Sequence, residues 1–237
     1  EGPGATAVGP SQADPRTGEL LRGAAIIPEN MARVFRGRAI DTTPRLPELT
    51  AGLPTGDFAT RYATCTHADE LIEQASFGFE LLSLRGAFDP NGPQAERYIA
   101  AALKDLTMHE VGHALGLRHN FRASVGITPA QLRDAAFTAQ RGVSNSVMDY
   151  NGQNTPLDGE PVADYFMGTL GAYDYWAIEY GYREYPNADA ERQALSALAA
   201  QSGRDPALAY ATDEDVIASA DPMVNQRDLG NDPLAYA

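Results

Sequence analysis

The sequence is short of the features that mark several functional classes. It holds a single cysteine, Cys65, so no disulfide can form within the chain. No run of eighteen or more apolar residues occurs, which leaves no helical stretch able to cross a bilayer. Cations are scarce too. Lys and Arg total 18 against 32 Asp and Glu, a net charge of −14, and a surface so poor in positive charge excludes nucleic acid as the expected partner. That balance suits a cationic ligand or a divalent ion. The chain opens at Glu1 rather than Met, with no basic segment followed by an apolar one, and reads as a processed or excised piece of something longer.

β patterning is sparse as well. Glu19–Ile27 is the one good strand candidate, placed after the turn signature Asp14-Pro15-Arg16-Thr17-Gly18. Residues 29–38 read as a short helix, followed by a Pro-rich connector over 41–56. Leu71, Ile72, Ala75, Phe79 and Leu82 recur at spacings of three and four, which predicts a helix over Thr66–Arg85. A second long helix is expected from Pro93 to about Leu117, with Ile99, Leu103, Leu106 and Leu117 on or near its apolar face. Shorter helices are expected over 129–141, 172–180 and 187–201. The expected class is α+β, mainly helical with a small mixed sheet. A lone strand leaves backbone groups unanswered, so either further strands lie upstream of Glu1, the favoured expectation, or the sheet is unusually small.

Histidine is scarcer still, and there the sequence becomes informative. Three of the four histidines fall within eleven residues, in His109-Glu110-Val111-Gly112-His113-Ala114-Leu115-Gly116-Leu117-Arg118-His119. Positions 109 and 113 lie one helical turn apart, so both imidazoles leave the same face and can reach one ion. Glu110, beside the first of them, stands where a general base toward water at the metal would stand. Gly116 can take the left-handed conformation that ends a helix, and His119 can then turn back as a third ligand. Three histidines leave a fourth position open, the mark of a catalytic zinc site. A solitary histidine such as His67 reads as a surface or satisfied core residue.

This segment, together with Ser146-Val147-Met148-Asp149-Tyr150 downstream, resembles the signature of the metzincin zinc peptidases. The stretches GPSQADPRTGELLRGAAI, HEVGHALGLRHNFRAS, SVMDYNGQN, GAYDYWAIEYGY and DPMVNQRDLGNDPLAYA resemble, more narrowly, the bacterial Met-zincin family. The resemblance implies a mainly helical zincin-like catalytic domain and a zinc endopeptidase. His109, His113 and His119 would be ligands, and Glu110 the base and later the acid. Met148 would be the Met-turn residue under the ligand imidazoles, and Tyr150 a phenol near the metal that shares the oxyanion. It also implies a peptide or protein substrate and an exported location. On that reading, residues 1–182 form the catalytic domain and 183–237 a helical, acidic extension. If Glu19–Ile27 is the rim strand of the cleft, it could take up an extended peptide as a neighbouring strand. Asn120, following the third ligand, assigns the chain to none of the better-known metzincin families.

Three further signals are given their plainer reading. Cys65 is taken as an ordinary unpaired cysteine rather than an inhibitory thiolate on zinc, since no inhibitory-propeptide context surrounds it. Asp213, Glu214, Asp215, Asp221, Asp228 and Asp232 lack the spacing of a calcium loop and read as solvated turns and helix caps. Tyr173, Tyr175, Trp176, Tyr180 and Tyr182 read as core packing. The competing functional readings are a catalytically silent zinc-bearing scaffold domain, an exopeptidase or amidase on the same scaffold, and a zincin whose third ligand is a downstream Glu.

Overall fold

The computed structural model describes residues 7–28, 31, 65–218 and 220–236. Apart from Met31, the helix expected over 29–38 and the whole Pro-rich connector lie outside them. Contacts divide the chain into two compact units, Glu1–Leu115 and Gly116–Ala237. No helix among the described residues is long and apolar enough to cross a membrane.

The first unit joins a β hairpin to two long helices. Strands β1 (Ser11–Ala13) and β2 (Leu20–Gly23) pair antiparallel, with Ser11 opposite Gly23 and Gln12 opposite Arg22. The ladder is irregular between Gln12 and Ala13, and a bridge between Val8 and Ile26 extends it. The turn closes through Gly18 N–H to the Asp14 carbonyl at 2.8 Å. Glu19–Ile27 therefore contains a strand, as its pattern predicts. Its partner on one edge is the short polar segment Ser11–Ala13, which carries no apolar alternation to announce it.

Helices α1 (His67–Leu84) and α2 (Pro93–Ala114) pack on each other. The face of α1 predicted from periodicity, Leu71, Ile72, Ala75, Phe79 and Leu82, is buried. Each large side chain in it contributes about 1.5–3 kcal/mol on burial. Phe79, Phe88 and Tyr98 form an aromatic trio with centroids 5.2–5.9 Å apart, and the Tyr98 hydroxyl donates to the Ala75 carbonyl at 2.8 Å. Pro93 begins α2, where its missing N–H costs nothing. The buried stripe of α2 runs through Ala95, Ile99, Ala102, Leu106 and His109, so the first histidine continues the core face.

Helix α2 ends at Ala114, not near Leu117, and Leu117 lies beyond it. Leu115 closes the last turn through its N–H to the Val111 and Gly112 carbonyls, and Gly116 follows at φ +84°. With the left-handed glycine turning the chain, the helix ends three residues earlier than apolar periodicity alone suggests. The hairpin lies directly on the end of α2. A Cβ at Gly9 would meet the Glu110 carbonyl oxygen at 2.1 Å, and one at Gly23 the Ala114 carbonyl oxygen at 2.7 Å. Only glycine allows that approach.

The second unit is built from short helices tied by side-chain hydrogen bonds to backbone. The single helix expected over 129–141 is two, α3 (Pro129–Leu132) and α4 (Ala135–Arg141). Asp134 breaks the run because its carboxylate caps α4, accepting from Ala136 N at 2.9 Å and Phe137 N at 3.1 Å. Helices α5 (Ala172–Tyr182) and α6 (Ala188–Ser202) sit where periodicity places them, and Trp176 Nε1 on α5 donates to the Leu198 carbonyl on α6. Of the aromatics expected in the core, Tyr173 is buried and stacks on Tyr210, whereas Tyr175, Tyr180 and Tyr182 are exposed. Two short helices, α7 (Asp213–Ala218) and α8 (Pro233–Tyr236), complete the unit. Helices thus dominate, the sheet is small, and the class is mainly helical α+β.

Candidate metal centre

The last turns of α2 carry His109, Glu110 and His113 in the first unit. His109 and Glu110 are fully buried, and the rings of His109 and His113 stand edge to face with centroids 4.7 Å apart. His67, the first residue of α1, is buried and stacks on His109 at 4.2 Å. It is a core residue, as read from sequence, but one that braces the first predicted ligand. Cys65 precedes α1 and brings Sγ to 3.4 Å from His109 Nε2 and 3.7 Å from Glu110 Oε1. No two of the candidate ligand atoms of Cys65, His109 and His113 are more than 4.8 Å apart. The plain reading of Cys65 is thereby corrected: helix α1, anchored through His67, delivers the thiol to the histidines.

Zinc–nitrogen and zinc–sulfur bonds of about 2.05 and 2.3 Å, at a tetrahedral angle, put S and N about 3.6 Å apart. The 3.4 Å Cys65–His109 separation is close to that edge. Borderline-soft imidazole and thiol donors are also the set zinc prefers, so these residues fit the ion. Burial raises the Glu110 carboxyl to about 7, against a smaller lowering by the Cys65 hydrogen bond. Glu110 Oε2 has no hydrogen-bond partner among the described residues. A buried carboxylate oxygen left in that condition is costly unless something polar comes to meet it.

The second unit holds His119, Met148 and Tyr150. His119 is buried, and its Nδ1 lies 2.8 Å from Asp213 Oδ1. Burial tends to raise the Asp213 carboxyl, but the hydrogen bond and charge of His119 and the bond from Thr212 outweigh it and hold Asp213 below the ordinary carboxylate range. An ionised carboxylate can only accept, so Nδ1 is a ring nitrogen that presents a proton to Asp213. Asp213 was expected in a solvated turn; it is instead the orienting partner of the third predicted ligand, and nothing in its local sequence announces that role. Arg118 fastens the same corner through Glu214 at 2.6 Å and Asp213 at 3.6 Å.

Tyr150 packs edge-on against His119 at 4.8 Å and against Phe121 at 5.0 Å. Met148 is fully buried within a turn; its N–H donates to Ser146 Oγ and its carbonyl accepts from Asn120 N at 2.9 Å. Asp174 on α5 holds that loop from outside, accepting from Ser146 Oγ (2.7 Å), Val147 N (3.0 Å) and Gly171 N (2.7 Å). Asn120 ties three segments together, since its side chain also accepts from Ala211 N and donates to the Ala209 carbonyl.

The remaining acidic residues weighed as a calcium set are engaged otherwise. Asp215 accepts from Thr212 N, Asp232 from Ala235 N, and Asp221 pairs with Arg122. Asp228 is buried and accepts from Ser124 Oγ, while the neighbouring Asp149 accepts from Ser124 N. Caps and turns thus account for part of this group, and burial for Asp213 and Asp228.

No curated protein and no solved structure matches the chain significantly. A family model described as Met-zincin matches residues 91–237, more than half of the chain and the part that holds α2, His119, Met148 and Tyr150. The chain belongs to the Met-zincin family, and carries a metzincin-like catalytic domain.

Proposed function

We propose that the protein is a zinc-dependent endopeptidase in which His109, His113 and His119 hold the metal. The observation that carries the reading is the pairing of His109 and His113 on one face of α2, with the buried Glu110 carboxylate beside them and one of its oxygens unanswered among the described residues. A purely structural site has no use for that base. Gly116 at φ +84° supports the turn that the spacing to His119 requires, and Asp213 engages the Nδ1 atom of His119 rather than Nε2.

Zinc bound there would polarise the scissile carbonyl and lower the pKa of its water. Glu110 takes the proton released as water attacks and delivers it to the leaving amine nitrogen. Tyr150 offers a phenol hydrogen bond to the oxygen that gains charge. Met148 gives an apolar floor, and the fixed loop around it keeps Tyr150 in place. In this reading 1–182 is the catalytic domain and 183–237 its helical extension, acting on peptides outside the cytoplasm.

The test is cleavage of a complex peptide library, read by mass spectrometry together with zinc content. Glu110→Ala is expected to keep its zinc and lose turnover, and His113→Ala to lose both. Internal cuts mark an endopeptidase, whereas trimming of ends alone favours an exopeptidase on the same scaffold. Turnover retained by Glu110→Ala would remove the mechanism.

A further inference from the structure

We propose that the C-terminal stretch 225–236 is the positioning element for Tyr150, and that Arg227, acting through its backbone, sets where the phenol stands. This rests on the zinc-peptidase reading above and deepens it by naming what holds the phenol in place. It also makes part of the 183–237 extension integral to the site.

Tyr150 lies in a stretch, 146–154, that belongs to no helix or strand, so its backbone groups must be answered from elsewhere. The C-terminal stretch answers them. Arg227 N–H donates to the Tyr150 carbonyl at 2.8 Å, and Gly152 N–H donates to the Asp228 carbonyl at 3.2 Å. The Tyr236 hydroxyl donates to the Gln153 carbonyl at 3.1 Å. Bonds at residues 150 and 152 fix the run of the chain through Tyr150, and with it the direction in which its side chain leaves. The two stretches also lie in close contact, since a Cβ at Gly152 would meet the Tyr236 hydroxyl oxygen at 2.2 Å and the Arg227 carbonyl oxygen at 3.0 Å. The clamp is itself anchored: Asn225 N–H donates to the carbonyl of Phe121, the ring against which Tyr150 packs, and Asn231 N–H to the carbonyl of Ile127. Ser124 joins the two sides, giving its N–H to Asp149 Oδ2 and its hydroxyl to Asp228 Oδ1.

Arg227 is the outlier in this clamp. It is the one non-glycine residue with positive φ among the described residues, at +66°. A residue with a Cβ is strained there and stays only where its surroundings impose it. In a regular strand, neighbouring residues direct their backbone groups to opposite edges. Residues 227 and 228 instead turn an N–H and a carbonyl toward the same stretch, and the left-handed backbone at Arg227 is what permits it. Its side chain is exposed, so replacing it empties no core space.

Three substitutions separate the backbone from the side chain. Arg227→Gly keeps the N–H and reaches the same φ freely, Arg227→Val keeps the N–H but resists that φ, and Arg227→Pro can supply neither. The first readout needs no metal and no activity: 3-fluorotyrosine is placed at position 150 of the full chain and its fluorine resonance recorded. Arg227→Gly should leave the resonance in place, whereas Arg227→Val and Arg227→Pro should shift or broaden it. The second readout is peptide cleavage with zinc bound. Arg227→Val should lower kcat about 10–100-fold, with KM and zinc content unchanged, and Arg227→Gly should restore it. In a Tyr150→Phe background, Arg227→Val should cost nothing further, because a residue acting through the phenol has nothing left to place. If Arg227→Pro fails to fold, Arg227→Val carries the comparison alone, since it loses no hydrogen-bonding group. A resonance unmoved by Arg227→Val overturns the proposal. So does an equal loss with and without the phenol, the result of a merely structural role. A chain that binds zinc and cuts nothing would instead sink the peptidase reading, and the fluorine resonance would still decide whether Arg227 places Tyr150.

Discussion

A histidine can offer a metal either ring nitrogen, and the group on the other one decides which. At His119 that group is Asp213, 94 residues away in sequence and 2.8 Å away in space. Removing it frees the ring to rotate and to change tautomer. Asp213→Ala should weaken zinc binding roughly 10–100-fold, and Asp213→Asn, which keeps an acceptor oxygen, should weaken it less. Competition against a chromophoric chelator measures both, and equal affinities in all three proteins would deny Asp213 the orienting role. The same residues show what the sequence makes legible. His109, Glu110, His113, Gly116 and His119 lie within one helix end and its turn, so local geometry relates them. Cys65 and Asp213 reach their histidines only through tertiary packing, and no spacing rule covers separations of 44 and 94 residues.

At the scale of elements, periodicity found what packing rewards. The apolar stripes of α1 and α2 identify both helices, since each stripe is buried against the other element. It failed where a polar side chain did the shaping: Asp134 cutting 129–141 in two, and Ser11–Ala13 joining a strand richer in signal than itself. The Met148 loop belongs to this second kind. It has little regular structure and depends on Asp174, which answers two backbone N–H groups and the Ser146 hydroxyl. Asp174→Ala leaves three buried donors without that acceptor and should cost about 2–4 kcal/mol, while Asn should recover part of it. Urea unfolding of the three proteins gives the comparison, and a loss below about 0.5 kcal/mol for Ala would show the loop to be held by something else.

Taken whole, the molecule is strongly acidic and still buries carboxyls. Asp149, Asp174 and Asp228 are all raised, chiefly by burial; the charge of Asp228 adds to the shift at Asp149. A carboxyl raised in the folded state favours folding most when protonated. Its contribution is complete below the ordinary carboxylate range and is lost as pH climbs through the raised value. Relief of a net charge of −14 acts in the same direction. Asp213, held low, acts the other way, and its contribution disappears only below the ordinary range. Tm should therefore rise as pH falls from about 8 to about 5, and Asp149→Asn should flatten that slope. Scanning calorimetry across the range checks it, and a slope unchanged by the substitution would remove Asp149 as a source.

Gly9 offers no functional group, yet it lies where any side chain would strike the Glu110 carbonyl. Gly181, by contrast, faces open space. Tolerance at these positions is therefore expected to follow space rather than chemistry: a side chain at position 9 would have to displace backbone of α2. Where the hairpin rests on α2, the fit depends on two residues, Gly9 and Gly23, that contribute there by taking up no room.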